Sequence, residues 1–160
     1  GQATVAIELL EEYPQLDYIF TPIGGGGLIA GTILAVKYFS EKCKVIGGEP
    51  INVDDAYRSL LSGKIEYNDS NSITIADGLR TFLGDRNFPI IKKGVEKIIR
   101  VEETEIINAM KLIWERMKII IEPSSAVAFA ALLKDKENYK NKEVGIIISG
   151  GNVDVTNLPF

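Results

Sequence analysis

The stretch Tyr18–Lys37, YIFTPIGGGGLIAGTILAVK, decides how this chain is read. An apolar run stops at Gly24, Gly25, Gly26 and Gly27 and then resumes with helical character. Each glycine gives up more backbone freedom on folding than any other residue, so a run of them marks a place where side chains are excluded. A strand, a glycine loop and a helix N-terminus together make an anion site. Bare backbone lets N–H groups point at a phosphate, and the helix dipole favours its charge. A tight turn or close strand-helix packing is the simpler reading, but four glycines exceed what a turn requires. The 19 uncharged residues from Tyr18 to Val36 have the length of a membrane span. Pro22 and the glycines divide them into a short strand and a helix, and no basic flank or cleavage pattern marks a signal peptide.

Outward from this stretch, strands alternate with helices. Ala3 to Glu12 reads as a helix, Leu16 to Phe20 as a buried strand, Leu28 to Tyr38 as a helix, and Cys43 to Pro50 as a strand ending in an acid. Asn52 to Asp55 reads as the cap of a helix running to Ser62, with Asp55 completing a capping box and Gly63 stopping it. Ser62 to Ser72 is polar loop. Glu96 to Val101 is a further strand, followed by a helix of about 13 residues with Ile106, Ile107, Met110, Ile113, Trp114 and Met117 on one face, a core stripe. Glu122 to Lys134 is a helix entered through Pro123 with Ser124 or Ser125 as cap, and Glu143 to Gly151 is an apolar strand. Apolar strands alternating with helices predict an α/β fold, a parallel sheet with helices on both faces, where ligands bind at the strands' carboxyl ends. The loops Ile23 to Gly27, Glu49 to Asp55 and Ser149 to Asn152 then share one rim.

Composition narrows the chemistry. At 160 residues, 46% hydrophobic and 25% charged, the chain has the composition of one folded domain. A formal net charge of -4 with no basic stripe argues against nucleic acid and membrane surfaces and for small-molecule partners. Cys43 is the only cysteine, which excludes an internal disulfide and suits a reducing cytoplasm. There is no histidine, so Ser-His-Asp and Cys-His nucleophiles and histidine metal sites are excluded. Chemistry here must use carboxylates, lysine, backbone groups or a cofactor.

Two phosphate readings compete. Gly25 to Ala30, GGGLIA, satisfies the G-x-G-x-x-A dinucleotide pattern, with Glu49 where a ribose-binding acid is expected. A dinucleotide-binding module leaves SGGN at Ser149 to Asn152 and EPSSA at Glu122 to Ala126 without a role. The chain also resembles the serine racemase and serine/threonine dehydratase group of pyridoxal-phosphate enzymes, of tryptophan-synthase-β-like fold. The likeness is carried by GQATVAIELL from Gly1, PIGGGGLIAG from Pro22, GEPINVDDAYRS from Gly48, TIADGLR from Thr74, WERMKIIIEPSSAVAFAAL from Trp114 and IIISGGNVD from Ile146. These motifs run in the family's order over nearly the whole chain.

The resemblance implies that the N–H groups of Gly24, Gly25, Gly26, Gly27 and Leu28 hold the phosphate of pyridoxal 5'-phosphate. It implies that Gly78 lines the cofactor face and that Ser149 stands beside the pyridine nitrogen. A hydroxyl there does not stabilise a protonated ring nitrogen as a carboxylate does, which favours reprotonation at Cα and loss of the β-hydroxyl. From residues alone, Ser149 also reads as a helix cap after a strand. Glu49, the Val53 carbonyl and Asp55 match the family's divalent-cation site, and hard oxygen donors suit Mg²⁺ or Ca²⁺. Without the family, Asp55 is a capping residue and Glu49 a solvated strand end. Lys118 and Asn152 match positions that contact an activating nucleotide, ATP, at the subunit interface of animal members, although Lys118 also reads as a lone surface lysine. Glu122, at a helix start, caps or orients polar groups near the ring.

One family feature is missing. The lysine that holds the cofactor's aldehyde lies in an N-terminal SFK-type motif, the second acid/base serine is also upstream, and neither occurs here. Lys37 lies roughly 15 Å along its helix from the glycine loop at 1.5 Å per residue, too far to substitute. The chain, opening at Gly1 directly into a helix, is therefore expected to be the C-terminal part of a large pyridoxal-phosphate domain, without the small domain. The parent enzyme is expected to racemise L-serine and eliminate water from it, with threonine as a further substrate, and the segment alone to be inactive. The other expectations are a homodimer or, for a truncated non-catalytic homologue, pairing with a full-length relative.

Overall fold

The apolar runs assemble into one sheet. In the computed structural model, which describes Gly1–Phe160, β1 (Tyr18–Pro22), β2 (Lys44–Pro50), β3 (Val95–Val101) and β4 (Val144–Ile146) lie in the order β3-β2-β1-β4. All three pairings are parallel, with Tyr18 opposite both Lys44 and Val144, and a register slip between Val45 and Ile46 where β2 meets β3. The helices are α1 (Thr4–Glu12), α2 (Gly27–Phe39), α3 (Asp55–Ser62), α4 (Phe88–Gly94), α5 (Glu103–Met117) and α6 (Pro123–Lys134). No helix is long and apolar enough to cross a membrane.

Successive strand residues face opposite ways, and the core divides accordingly. Ile19 and Val45 pack with Leu10, Ile29, Ile33 and Ile91 in one cluster, while Phe20 and Ile46 pack with Ile106, Met110, Ala126 and Val127 in the other. Both faces are thus covered, α1, α2 and α4 on one and α5 and α6 on the other, as the unbroken apolar strands predict. Gly47 and Gly48 let the covering layers approach β2. A Cβ on Gly47 would run into Ile23, and one on Gly48 would come within 2.8 Å of the Val127 carbonyl of α6.

Four expectations need correcting. α4 is a helix that the sequence reading omits. β4 stops at Ile146 instead of Gly151. No capping box opens α3: its N-cap is Asp54, whose side chain caps nothing, and the Asn52 amide donates instead to the Ile73 carbonyl at 3.0 Å. The capping box belongs to α5, through Glu102 and Glu105. Neither Ser124 nor Ser125 caps α6, whose N-cap is Glu122.

Candidate functional site

Because all strands run the same way, the loops after β1, β2 and β4 meet along one edge of the sheet. After β1 the chain turns through Gly24, Gly25 and Gly26 into α2. Gly26, the N-cap, has φ +81°, and a Cβ there would approach Leu83 Cδ1 at 2.7 Å and Ile91 Cδ1 at 2.8 Å. Only glycine meets both demands. A Cβ on Gly24 would lie 3.1 Å from the Gly78 carbonyl and from Thr81 Oγ1. The Gly25 carbonyl accepts from Asn87 Nδ2 at 2.7 Å and from the Gly84 N–H at 3.1 Å. Gly27 differs, with only Gln2 Cγ at 3.9 Å from its would-be Cβ. None of the N–H groups of Gly24, Gly25, Gly26, Gly27 and Leu28 donates a hydrogen bond within the protein, and no side chain caps α2. Unfilled donors in a glycine cradle at the positive end of a helix are the fit a phosphate needs.

The first turn of α6 organises the rest of the rim. Ser124 Oγ accepts the Gly78 N–H at 3.0 Å and so holds the loop that backs Gly24. Ser125 is fully buried, and its hydroxyl accepts the Gly150 N–H at 2.6 Å, donates to the Gly150 carbonyl at 2.7 Å and meets Ser149 Oγ at 3.1 Å. Glu122 completes the latch. Its N–H donates to the Gly150 carbonyl at 3.1 Å, and its Oε2 accepts the Asn152 N–H at 2.9 Å. Gly78 and Gly150 flank the same carboxylate, since Cβ atoms there would lie 3.8 Å from Glu122 Oε1 and 3.0 Å from Oε2. Ser149 is itself exposed, at the mouth of this arrangement.

Glu49 and Asp55 are each 1% exposed. Glu49 reaches from the end of β2 to the start of α3, where Oε1 accepts the Ala56 N–H and Oε2 the Tyr57 N–H, both at 2.9 Å. Asp55 accepts the Leu83 N–H at 2.8 Å and the Asn68 amide at 2.6 Å. Burial pushes the Glu49 carboxyl up to about 8, its two backbone donors oppose the rise, and Asp55 and Asp54 add repulsion. Asp55 is also raised, chiefly by burial. The neighbouring guanidiniums of Arg58 and Arg100 are engaged by Asp54, at 2.7 and 2.9 Å. No third His, Cys, Asp or Glu joins the pair, so a cation held here would take two carboxylates, a carbonyl such as that of Val53, and water. The donor set fits a hard divalent ion in kind. An inward-facing Glu49 does not suit a ribose, which removes the geometric basis of the dinucleotide reading.

Lys118 is the C-cap of α5, in left-handed backbone at φ 59°, and is exposed, as is Asn152. Their segments run side by side, for Glu122 bonds Gly150 and a Cβ on Gly151 would fall 2.6 Å from the Ile120 carbonyl. The sequence reading misses Thr81 and Asn87, which close the glycine loop from some 60 residues away, and reads Ser124 and Ser125 only as caps. Two adjacent serines just after Pro123, at the start of an otherwise apolar helix, are the available signal.

The family model described as pyridoxal-phosphate dependent enzyme matches residues 1–150. A serine racemase of Dictyostelium discoideum is 53% identical over 161 residues, covering 99% of this chain and 50% of the relative. A beta-hydroxyaspartate dehydratase of Paracoccus denitrificans is 45% identical over 160 residues, covering 100% of this chain and 50% of the relative. The crystal structure of the Dictyostelium discoideum serine racemase matches with a TM-score of 0.89 at 54% identity, over 97% of this chain and 50% of that one. The chain spans about half the length of the curated relatives it matches. It belongs to the pyridoxal-phosphate dependent enzyme family.

Proposed function

We propose that this chain is the C-terminal part of the large domain of a pyridoxal-phosphate enzyme that racemises L-serine and eliminates water from it. One observation carries the reading: the unfilled N–H groups of Gly24 to Leu28 lie on the same sheet edge as the latched Ser149 loop. When bound, pyridoxal phosphate supplies the electron sink that lets a proton leave the substrate α-carbon. The glycine N–H groups bind its phosphate, Gly78 leaves room for its face, and Ser149 offers a neutral hydroxyl to its ring nitrogen. Glu49, the Val53 carbonyl and Asp55 hold Mg²⁺ or Ca²⁺, which neutralises a buried acid pair and fixes α3 against β2. Lys118 and Asn152 form part of an ATP effector site. The enzyme is a cytoplasmic homodimer whose substrates are serine and, secondarily, threonine or a 3-hydroxy amino acid.

The lysine that holds the cofactor belongs to the other half of the protein in this reading, so residues 1–160 alone are inactive. The edge strand β4 and the exposed apolar side chains Met117, Ile119, Ile120 and Ile148 support a chain that works against further polypeptide. The test is to purify the native polypeptide carrying IGGGGLIAG and record its mass, its cofactor absorbance and its turnover of L-serine to D-serine and pyruvate. A mass roughly double 17.6 kDa with bound cofactor and both products is expected. A native 17.6 kDa chain without cofactor absorbance would overturn the reading in favour of a non-catalytic homologue.

A further inference from the structure

The Ser125 hydroxyl carries a hydrogen-bond count that reaches into the proposed cofactor site. Ser125 Oγ lies 2.7 Å from the Gly150 carbonyl oxygen. Neither atom would tolerate that approach without a hydrogen between them, and only Ser125 owns one. Its single proton is therefore committed to Gly150. One of its lone pairs is taken by the Gly150 N–H at 2.6 Å. The remaining contact, 3.1 Å to Ser149 Oγ, can then be a hydrogen bond only if Ser149 is the donor. The Ser125 hydroxyl is saturated, buried at 0% exposure and locked in the first turn of α6. It stands in for a strand partner, donating to and accepting from the same residue beyond the end of β4.

We propose that Ser125 is a positioning residue that draws the Ser149 proton away from the cofactor's ring nitrogen. This rests on the reading that Ser149 faces that nitrogen. A serine beside an unprotonated pyridine nitrogen would ordinarily donate to it. Here the same proton has a second acceptor 3.1 Å away, already held in place by its bonds to Gly150. The Ser149 hydroxyl therefore divides its proton between Ser125 and the ring, and the ring nitrogen is less strongly hydrogen-bonded than the residue beside it suggests. Less hydrogen bonding at that nitrogen makes the ring a weaker electron sink. Ser125, which touches no substrate in this arrangement, thereby tunes how much negative charge the ring takes from the substrate α-carbon.

The test uses the native holoenzyme loaded with pyridoxal phosphate labelled with ¹⁵N in the ring, and reads the ¹⁵N resonance directly. Ser125→Ala removes the competing acceptor, so Ser149 donates fully to the ring and the resonance moves upfield. Ser149→Ala removes the donor and moves it downfield. Glu122→Gln removes a charge beside the same loop at Asn152 without touching the serine pair, and moves the resonance less than Ser125→Ala does. Ser125→Cys, which keeps the volume and weakens the acceptor, gives a smaller upfield shift and serves if the alanine variant does not fold. An unmoved resonance in both Ser125 variants with a shifted one in Ser149→Ala overturns the inference alone. No shift in any serine variant overturns the placement of Ser149 as well. Equal shifts in Ser125→Ala and Glu122→Gln would reduce Ser125 to a loop fastener and also overturn the inference.

Discussion

α2 and α3 start at the same edge of the same sheet, each close behind a parallel strand, yet their N-termini are treated in opposite ways. At α3 the protein supplies its own acceptor: Glu49 swings from the end of β2 and caps Ala56 and Tyr57. At α2 nothing caps, and the N–H groups from Gly24 to Leu28 are left without a partner in the chain. Four orphan donors at a helix start are ordinarily filled by a side chain or by water. Leaving one set bare while filling its neighbour leaves one helix end open to a ligand and closes the other within the chain. The glycines enforce the difference, because any side chain at Gly24 or Gly26 would press on the segment from Gly78 to Ile91.

Breaking the closed end should have the largest effect on stability. Glu49→Ala strands two buried N–H groups at about 1–3 kcal/mol each, so a loss of about 2–6 kcal/mol is expected in denaturant unfolding. The closed end also predicts a pH dependence. The Glu49 carboxyl rises from an ordinary 4.5 to about 8 in the fold, so the folded state holds a proton there that the unfolded state releases between those values. The Glu49 contribution to stability is fully present below pH 4.5 and falls as pH rises toward 8, by at most about 1.4 kcal/mol per pH unit. Mg²⁺ favours the ionised carboxylates and should flatten that slope, which unfolding curves at several pH values with and without the ion would show.

At the open end, Gly26→Ala places a Cβ in left-handed backbone and against Leu83 and Ile91. About 1–2 kcal/mol of backbone cost and a further 1–3 kcal/mol of overpacking are expected, together with weakened cofactor binding, checked by unfolding and by cofactor titration. A control away from both helix ends should move least. Lys44 pairs with Glu96 at 2.9 Å on the surface, with both side chains about half exposed. Lys44→Ala should cost under about 1 kcal/mol, a difference that vanishes in high salt.

Most of this contrast was legible in the residues, though unevenly. The glycine run between an apolar strand and a helix spelled out the open end, because strand, loop and helix are contiguous and local propensity decides them. The closed end was half legible. Glu49 at a strand end suggested a ligand, but the sequence offered Asn52 and Asp55 as the nearer cap, and local pattern has no term for a carboxylate arriving from the preceding strand. The same reason explains α6. Ser124 and Ser125 fit a helix start in sequence, whereas Pro123 already occupies its first turn and the hydroxyls are spent on Gly78 and Gly150. β4 ends early because its last ladder bond, from the Ile147 N–H to the Phe20 carbonyl, is followed on β1 by Pro22, which has no N–H to carry the pairing on. The helix α4 escaped since seven residues with a single proline give too short a period to read. Asn87 and Thr81 reach the glycine loop only through tertiary contact.

The central claim is that the bare start of α2 binds the cofactor's phosphate. The most direct measurement compares the affinities of the native full-length protein for pyridoxal phosphate and for pyridoxal, which lacks the phosphate, in the natural protein and in Gly27→Asp. Gly27 is the glycine with open space at its Cβ, and an acid in a first helical turn should hold stability level or raise it by about 0.3–1 kcal/mol. The expected result is a strong preference for the phosphorylated form that collapses toward parity in Gly27→Asp, with an unfolding midpoint that does not fall. A preference that survives the substitution intact would contradict the account and place the phosphate elsewhere.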